Sequence, residues 1–221
     1  MAQFLMTAWV EQLRSVDWAQ MSLCAVGAYL LGCFTTGYYL VRGLKGIDIR
    51  TVDSGNVGAR NVSRVLGRTG FLLTTIGDVI KGVVAVWAAR HLTHDDRYTA
   101  VALLAVVAGH IWPVQLFFRG GKGVATSLGA LLLYDWRLVV AYVLVFAGGF
   151  ALTRKTILPG LFAFACLPAA GLWLNHDGWK ITFVTVLSLL VLFAHRWNFV
   201  EEIPALAARF GLAAKPEHPK L

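Results

Sequence analysis

Charge is what this chain has least of. Only 14% of its 221 residues are Asp, Glu, Lys or Arg, against 57% hydrophobic. A soluble domain carries about a quarter charged residues, so an ordinary water-soluble globule is excluded. Cysteine is sparse as well. Cys24, Cys33 and Cys166 all fall in apolar runs, with no CxxC pair. That pattern argues against a disulfide framework and against a zinc site. Acidic residues number 12 against 20 Lys and Arg, so the balance is basic, as in loops drawn to anionic lipid. No segment alternates like the roughly ten-residue strands of a membrane barrel. A cleavable leader is not expected, because Glu11, Arg14 and Asp17 interrupt the opening stretch and a basic start is missing.

What the chain has instead is a series of long apolar runs with charges clustered between them. A helix crossing the bilayer needs roughly 20 residues, and it satisfies its own backbone hydrogen bonds. The fold expected is therefore an all-α integral membrane protein with about seven transmembrane helices and polar motif loops on the cytoplasmic face. The runs place helices at 21–42, 69–90, 98–118, 124–134, 137–153, 157–175 and 179–197. The fourth is too short to span upright; it is either a half-helix or continuous with the fifth across "YDWR". Residues 1–20 read as an interfacial lead-in, 21–198 as one membrane domain, and 199–221 as a cytoplasmic tail. With seven passes, 14 of the 20 basic residues fall on one side and 5 on the other, leaving Lys81 within a helix. The positive-inside rule then puts the N-terminus outside and the C-terminus in the cytoplasm.

Three polar clusters share that basic face. The first is "GIDIRTVDSGNVGARNVSRVLG", residues 46–67. Gly55 and Gly58 permit turns that let backbone amides converge on an anion. Ser54 or Asn56 is suited to cap a short helix, on which Val62, Val65 and Leu66 share one side while Arg60, Asn61 and Arg64 point elsewhere. The bland alternative is a basic loop resting on anionic lipid. The second cluster is "FFRGGKGVATSLG", residues 117–129. It lacks the G-x-x-x-x-G-K-[ST] spacing of a nucleotide loop. It does offer Gly120, Gly121 and Gly123 around Lys122, with a helix starting near Val124 whose free amides favour an anion. The third is "AHRWNF", residues 194–199, where His195 and Asn198 share a helix face and Arg196 points away. Separately, Asp78 and Lys81 sit within the second helix. There they form either a structural ion pair facing the bundle interior or part of a transport path. His110 admits a structural reading too.

In family order and spacing, these three stretches resemble the motifs of the acyl-phosphate:glycerol-3-phosphate acyltransferases, the PlsY family. The resemblance covers roughly residues 32–198. It implies a seven-helix inner-membrane enzyme that moves a fatty acyl group from acyl phosphate to the 1-hydroxyl of glycerol 3-phosphate. The products would be lysophosphatidate and inorganic phosphate. It implies no cofactor, no metal, no nucleic acid and no obligate protein partner; its partners are the two substrates and membrane lipids. Carried over by position, Ser54, His195 and Asn198 become the catalytic group. Arg64, Lys122, Gly120, Gly121, Gly123, Asn56 and Asn61 become the phosphate-binding group. The hydroxyl proton goes either to His195 or to the acyl phosphate's own oxygens. This chain departs from the family pattern at Cys33, Thr35, Asp53, Arg60, Trp112 and Arg119, and after Asn198. The departures leave room for a switched acceptor or a non-catalytic relative. A small transporter using Asp78 and Lys81 is the rival from another class.

Overall fold

The structure is a computed structural model that describes residues 16–200 and Ile203. Most of the expected lead-in (1–15) and of the expected tail (201, 202 and 204–221) lies outside the described residues. Seven α-helices and two short 3-10 turns make up the regular structure, and there is no strand among the described residues. The helices are α1 (Trp18–Cys33), α2 (Thr36–Lys45), α3 (Ala59–Thr93), α4 (Asp96–Ile111), α5 (Val124–Thr153), α6 (Ile157–Trp173) and α7 (Gly178–Ala194). Among the described residues, four helical stretches are long and apolar enough to cross a membrane: Trp18–Lys45, Ala59–Thr93, Asp96–Leu116 and Val124–Thr153. α6 and α7 are shorter and equally apolar. Leucines and isoleucines such as Leu23, Leu72, Ile76, Leu144, Leu172 and Leu189 stay exposed on the outside of the bundle, as a hydrocarbon solvent allows.

One expected helix differs from that found, and one open reading is decided. The single helix expected over 21–42 breaks at Phe34 and Thr35, both in extended backbone, and α2 restarts at Thr36. The pair expected at 124–134 and 137–153 is found as the two arms of α5, which meet at a non-helical residue, Asp135. That residue reverses the chain. α6 and α7 run antiparallel, because the Ser188 hydroxyl donates to the Phe164 carbonyl at 2.7 Å. Lys122 touches Asn198 just beyond the end of α7, and Gly149 packs on Pro159 at the start of α6. Both ends of α5 therefore lie at one end of the bundle. Asp135 lies at the other, 2.9 Å from His176. Its carboxylate accepts the Arg137 amide at 3.0 Å and so caps the returning arm. Counting both arms restores seven crossings. The first arm, at about 1.5 Å per residue, rises only roughly half the hydrocarbon thickness.

Close helix contacts rest on small residues. A Cβ on Gly32 would strike the Val106 backbone, and one on Gly109 the Tyr29 carbonyl, so α1 and α4 touch along their backbones. Gly82 and Gly129 do the same between α3 and α5. Between membrane helices, where apolar burial gives little drive, such close packing supplies the association. Phe164, Leu103, Leu131, Leu138 and Leu187 fill the centre.

Candidate active site

The first polar segment is wound around one side chain. Asp48 caps a 3-10 turn, Ile49–Thr51, through the Arg50 amide. The Asn61 amide then donates to the carbonyls of Ile49 (3.1 Å), Val52 (3.0 Å) and Asn56 (2.8 Å). Asn61 is buried and holds the loop's shape from inside, not on the outward face expected of it. Asn56 accepts the Gly58 amide at 2.7 Å, which leads into α3. Of the two glycines expected to make turns, Gly55 has φ +65° and Gly58 has φ −74°. The expected short helix is the first part of α3, ending at Gly67, where φ is +65° and the axis breaks. Arg50 ties this segment to the next. It forks onto Asp48, donates to the Leu116 carbonyl at 2.8 Å and lies over the Tyr38 ring. The guanidinium holds the Asp48 carboxyl below the usual carboxylate range.

The second segment doubles back on α4. The amides of Gly120 and Gly121 donate to the carbonyls of Ile111 (3.2 Å) and His110 (2.9 Å). The excursion between them includes Phe117 and Phe118, both at positive φ. Neither Gly120 nor Gly121 has a positive φ. They are small because a Cβ on either would overlap the end of α4: the His110 carbonyl for Gly120, the His110 ring for Gly121. Gly123 is different: φ is +84° and it begins α5 with no capping side chain. Lys122, between them, reaches across to the Asn198 carboxamide.

The third segment is not a simple continuation of α7. The helix ends at Ala194, His195 forms a turn, and helical residues resume at Arg196. His195 is buried, and its Nδ1 lies 2.8 Å from the Val191 carbonyl. That contact places the ring hydrogen on Nδ1 and leaves Nε2 as the basic atom. Burial, and then the charge on Lys122, push the imidazole's pKa from 6.5 down to about 4; the Val191 contact works the other way.

These segments enclose a cavity of about 360 Å³. Of the expected site residues, Ser54, Asn56, Gly120, Gly121, Lys122 and Asn198 line it. Asn61, Gly123 and His195 stand behind it. Arg64 faces Asp53, with which it forms an ion pair on the exposed side of the loop. The lining also includes Arg119, Arg196, Trp112 and Trp197, which the sequence did not single out as site residues. Arg196, expected on a different face from His195 and Asn198, is exposed and lies 4.6 Å over the Phe193 ring, and it is among the lining residues. The lining thus holds three cations and no carboxylate. Ile111, Trp112, Phe118 and Trp197 form its apolar part. Such a chamber suits an anionic headgroup attached to an apolar chain.

Comparison with known proteins agrees with that chemistry. The family model for glycerol-3-phosphate acyltransferase matches residues 22–203. The chain belongs to this family. It is 44% identical over 176 residues to glycerol-3-phosphate acyltransferase 1 of Desulfitobacterium hafniense (strain Y51), covering 80% of this chain and 87% of that protein. It is 40% identical over 173 residues to the glycerol-3-phosphate acyltransferase of Geotalea daltonii, covering 78% and 89%. Among solved structures it resembles PlsY (YgiH), an integral membrane glycerol 3-phosphate acyltransferase. In the glycerol 3-phosphate form the TM-score is 0.74 at 31% identity, covering 89% of this chain and 95% of that one. The lysophosphatidic acid form gives 0.73. The family membership and the helical membrane fold agree.

Proposed function

We propose that this protein transfers a fatty acyl group from acyl phosphate to the 1-hydroxyl of glycerol 3-phosphate, releasing lysophosphatidate and inorganic phosphate. The observation that carries this is a cavity lined by Arg119, Lys122 and Arg196 together with aromatic rings. Two anions must approach each other for the reaction, and three cations offset their repulsion. The glycerol oxygen attacks the acyl carbonyl, the carbon–oxygen bond to phosphate breaks, and phosphate leaves with the bonding pair. Ser54 and Asn198, both at the cavity wall, orient the alcohol and the headgroup; His195 or the leaving phosphate takes the proton. Orientation and charge stabilisation are the main work. We place the N-terminus outside and the C-terminus in the cytoplasm of a bacterial inner membrane, following the basic loops at the site end.

The test uses purified protein in detergent, with palmitoyl phosphate and glycerol 3-phosphate. Equal amounts of lysophosphatidate and phosphate are expected, undiminished by chelator, since the cavity's own cations meet the phosphates. Palmitoyl-CoA is expected to give none. Product from the thioester would overturn the donor assignment. The transport reading loses its basis, because Lys81 and Asp78 are buried against each other at 2.9 Å.

Asp53 yields a prediction of its own. Its carboxylate occupies Arg64, which the family resemblance assigns to phosphate, and it sits at φ +43°. Glycerol 3-phosphate must then displace it. Asp53→Asn tolerates the same backbone and should lower KM for glycerol 3-phosphate by about two- to fivefold, the worth of an exposed ion pair. An unchanged or higher KM would mean that Arg64 is not in competition.

A further inference from the structure

We propose that Asp78, Lys81 and His110 form a buried bracket that sets the position of the Gly120–Gly121 strand, and through it Lys122, making them positioning residues for glycerol 3-phosphate. All three side chains are at most 5% exposed. Charged groups inside a membrane helix cost roughly 2.5–3.5 kcal/mol each on insertion scales, so their retention calls for a reason.

The geometry supplies one. The Lys81 ammonium lies 2.9 Å from Asp78, 2.7 Å from His110 Nδ1, and 3.2 and 2.9 Å from the carbonyls of Gly32 and Phe34. Those carbonyls lie where the helical path fails between α1 and α2. Thr36, the first residue of α2, donates to Asp78 at 3.2 Å. One ion pair thus closes the break and reaches α4. An ammonium only donates, so His110 Nδ1 accepts and the ring hydrogen sits on Nε2. The bracket fixes the ring's tautomer and its tilt.

The ring's far edge is where the loop rests. The three atoms nearest a Cβ built on Gly121 are all in the His110 imidazole, and Nε2 would overlap it. The same residue's carbonyl takes the Gly121 amide at 2.9 Å. Lys122 follows directly. A shift of the ring therefore moves the base of the lysine that reaches the cavity.

This inference rests on Lys122 serving as a phosphate ligand. The experiment is a cycle of Gly121→Ala, His110→Asn and their combination, with steady-state kinetics for both substrates. His110→Asn keeps an acceptor near the Nδ1 position for Lys81 while removing the ring edge, so the bracket's burial stays satisfied. Gly121→Ala alone should raise KM for glycerol 3-phosphate about tenfold or more, a displacement effect. In the His110→Asn background the same substitution should add no more than about threefold, the mark of coupled neighbours. Lys81→Met should raise KM for glycerol 3-phosphate and leave KM for acyl phosphate unchanged. Should Lys81→Met fail to accumulate as folded protein, the cycle alone decides. Independent, multiplying defects in the cycle would overturn the bracket. If Lys122→Met leaves glycerol 3-phosphate kinetics untouched, the bracket and the phosphate reading fail together. If Lys122→Met weakens use and the cycle multiplies, the bracket alone fails.

Discussion

His195→Ala should lower turnover by about 10²–10⁴-fold, the usual contribution of a general acid–base group, and leave the protein folded in the membrane. The turn it occupies is held by its own backbone, whose amide donates to the carbonyls of Val191 and Leu192 at 3.2 and 3.0 Å. Those bonds survive the substitution. What is lost is an imidazole directed by Val191, with Nε2 as its basic atom. Burial and the Lys122 charge keep that ring neutral, with a pKa near 4 in place of 6.5. In the resting enzyme it is ready to accept a proton at pH 7 and has none to give. In the proposed reaction, two substrate phosphates entering beside Lys122 would add negative charge there. They raise the ring's proton affinity when the alcohol must be deprotonated.

His195→Asn separates the two proton routes. If His195 takes the proton, the asparagine variant is as slow as alanine. If the leaving phosphate takes it and His195 only orients the alcohol, asparagine recovers much of the rate. The resting pKa is open to direct measurement by NMR of labelled histidine in micelles, where the His195 resonance should titrate near pH 4. A midpoint near 6.5 would mean the ring is not enclosed. A third or more of the wild-type rate in His195→Ala would make the residue structural.

The sequence carried the apolar runs and the grouping of three motifs, because membrane spans and glycine-rich turns leave strong local signals. It did not carry one place where local pattern is overruled by distant contacts. The break at Phe34 and Thr35 has no glycine or proline to announce it; it is held by Lys81 from 47 residues away. The reversal at Asp135 falls at the "YDWR" junction that the sequence left open, and a carboxylate that caps its own arm and meets His176 decides it. Within the site, helical spacing grouped His195 with Asn198 and turned Arg196 away, on the assumption that α7 ran through. The turn at His195 breaks that periodicity, so Asn198 meets Lys122 while His195 stays behind the wall. Asn61 was read as pointing elsewhere than the Val62, Val65 and Leu66 side, but its partners were not legible, because the carbonyls it gathers come from the preceding loop. The glycines of "RGGKG" were legible as a loop. Their reason was not: Gly120 and Gly121 are dictated by the end of α4, and Gly123 alone by backbone conformation.

Lys122→Met should weaken glycerol 3-phosphate use about ten- to 150-fold, the range that follows from a charge-assisted hydrogen bond of about 1.5–3 kcal/mol. Folding should be little affected. Lys122 is only partly buried, and methionine keeps its apolar stem. Its ammonium lies against the Asn198 carboxamide, so it links the second and third motifs across the cavity. A substrate phosphate placed there would take hydrogen bonds from the ammonium and the asparagine amide together. Lys122→Arg should restore the charge and only part of the activity, because a planar fork does not reproduce the contacts of a compact ammonium. Inorganic phosphate, a product of the proposed reaction, should compete with glycerol 3-phosphate in the wild type and compete less well in Lys122→Met. If the loop were only a basic turn resting on lipid, arginine would rescue fully and phosphate inhibition would not change. Arg119 and Arg196 also line the cavity, so the remaining activity of Lys122→Met measures how far they hold the phosphate without it. Unaltered kinetic constants in Lys122→Met would remove Lys122 from the phosphate site, since Arg119 and Arg196 would then be sufficient by themselves.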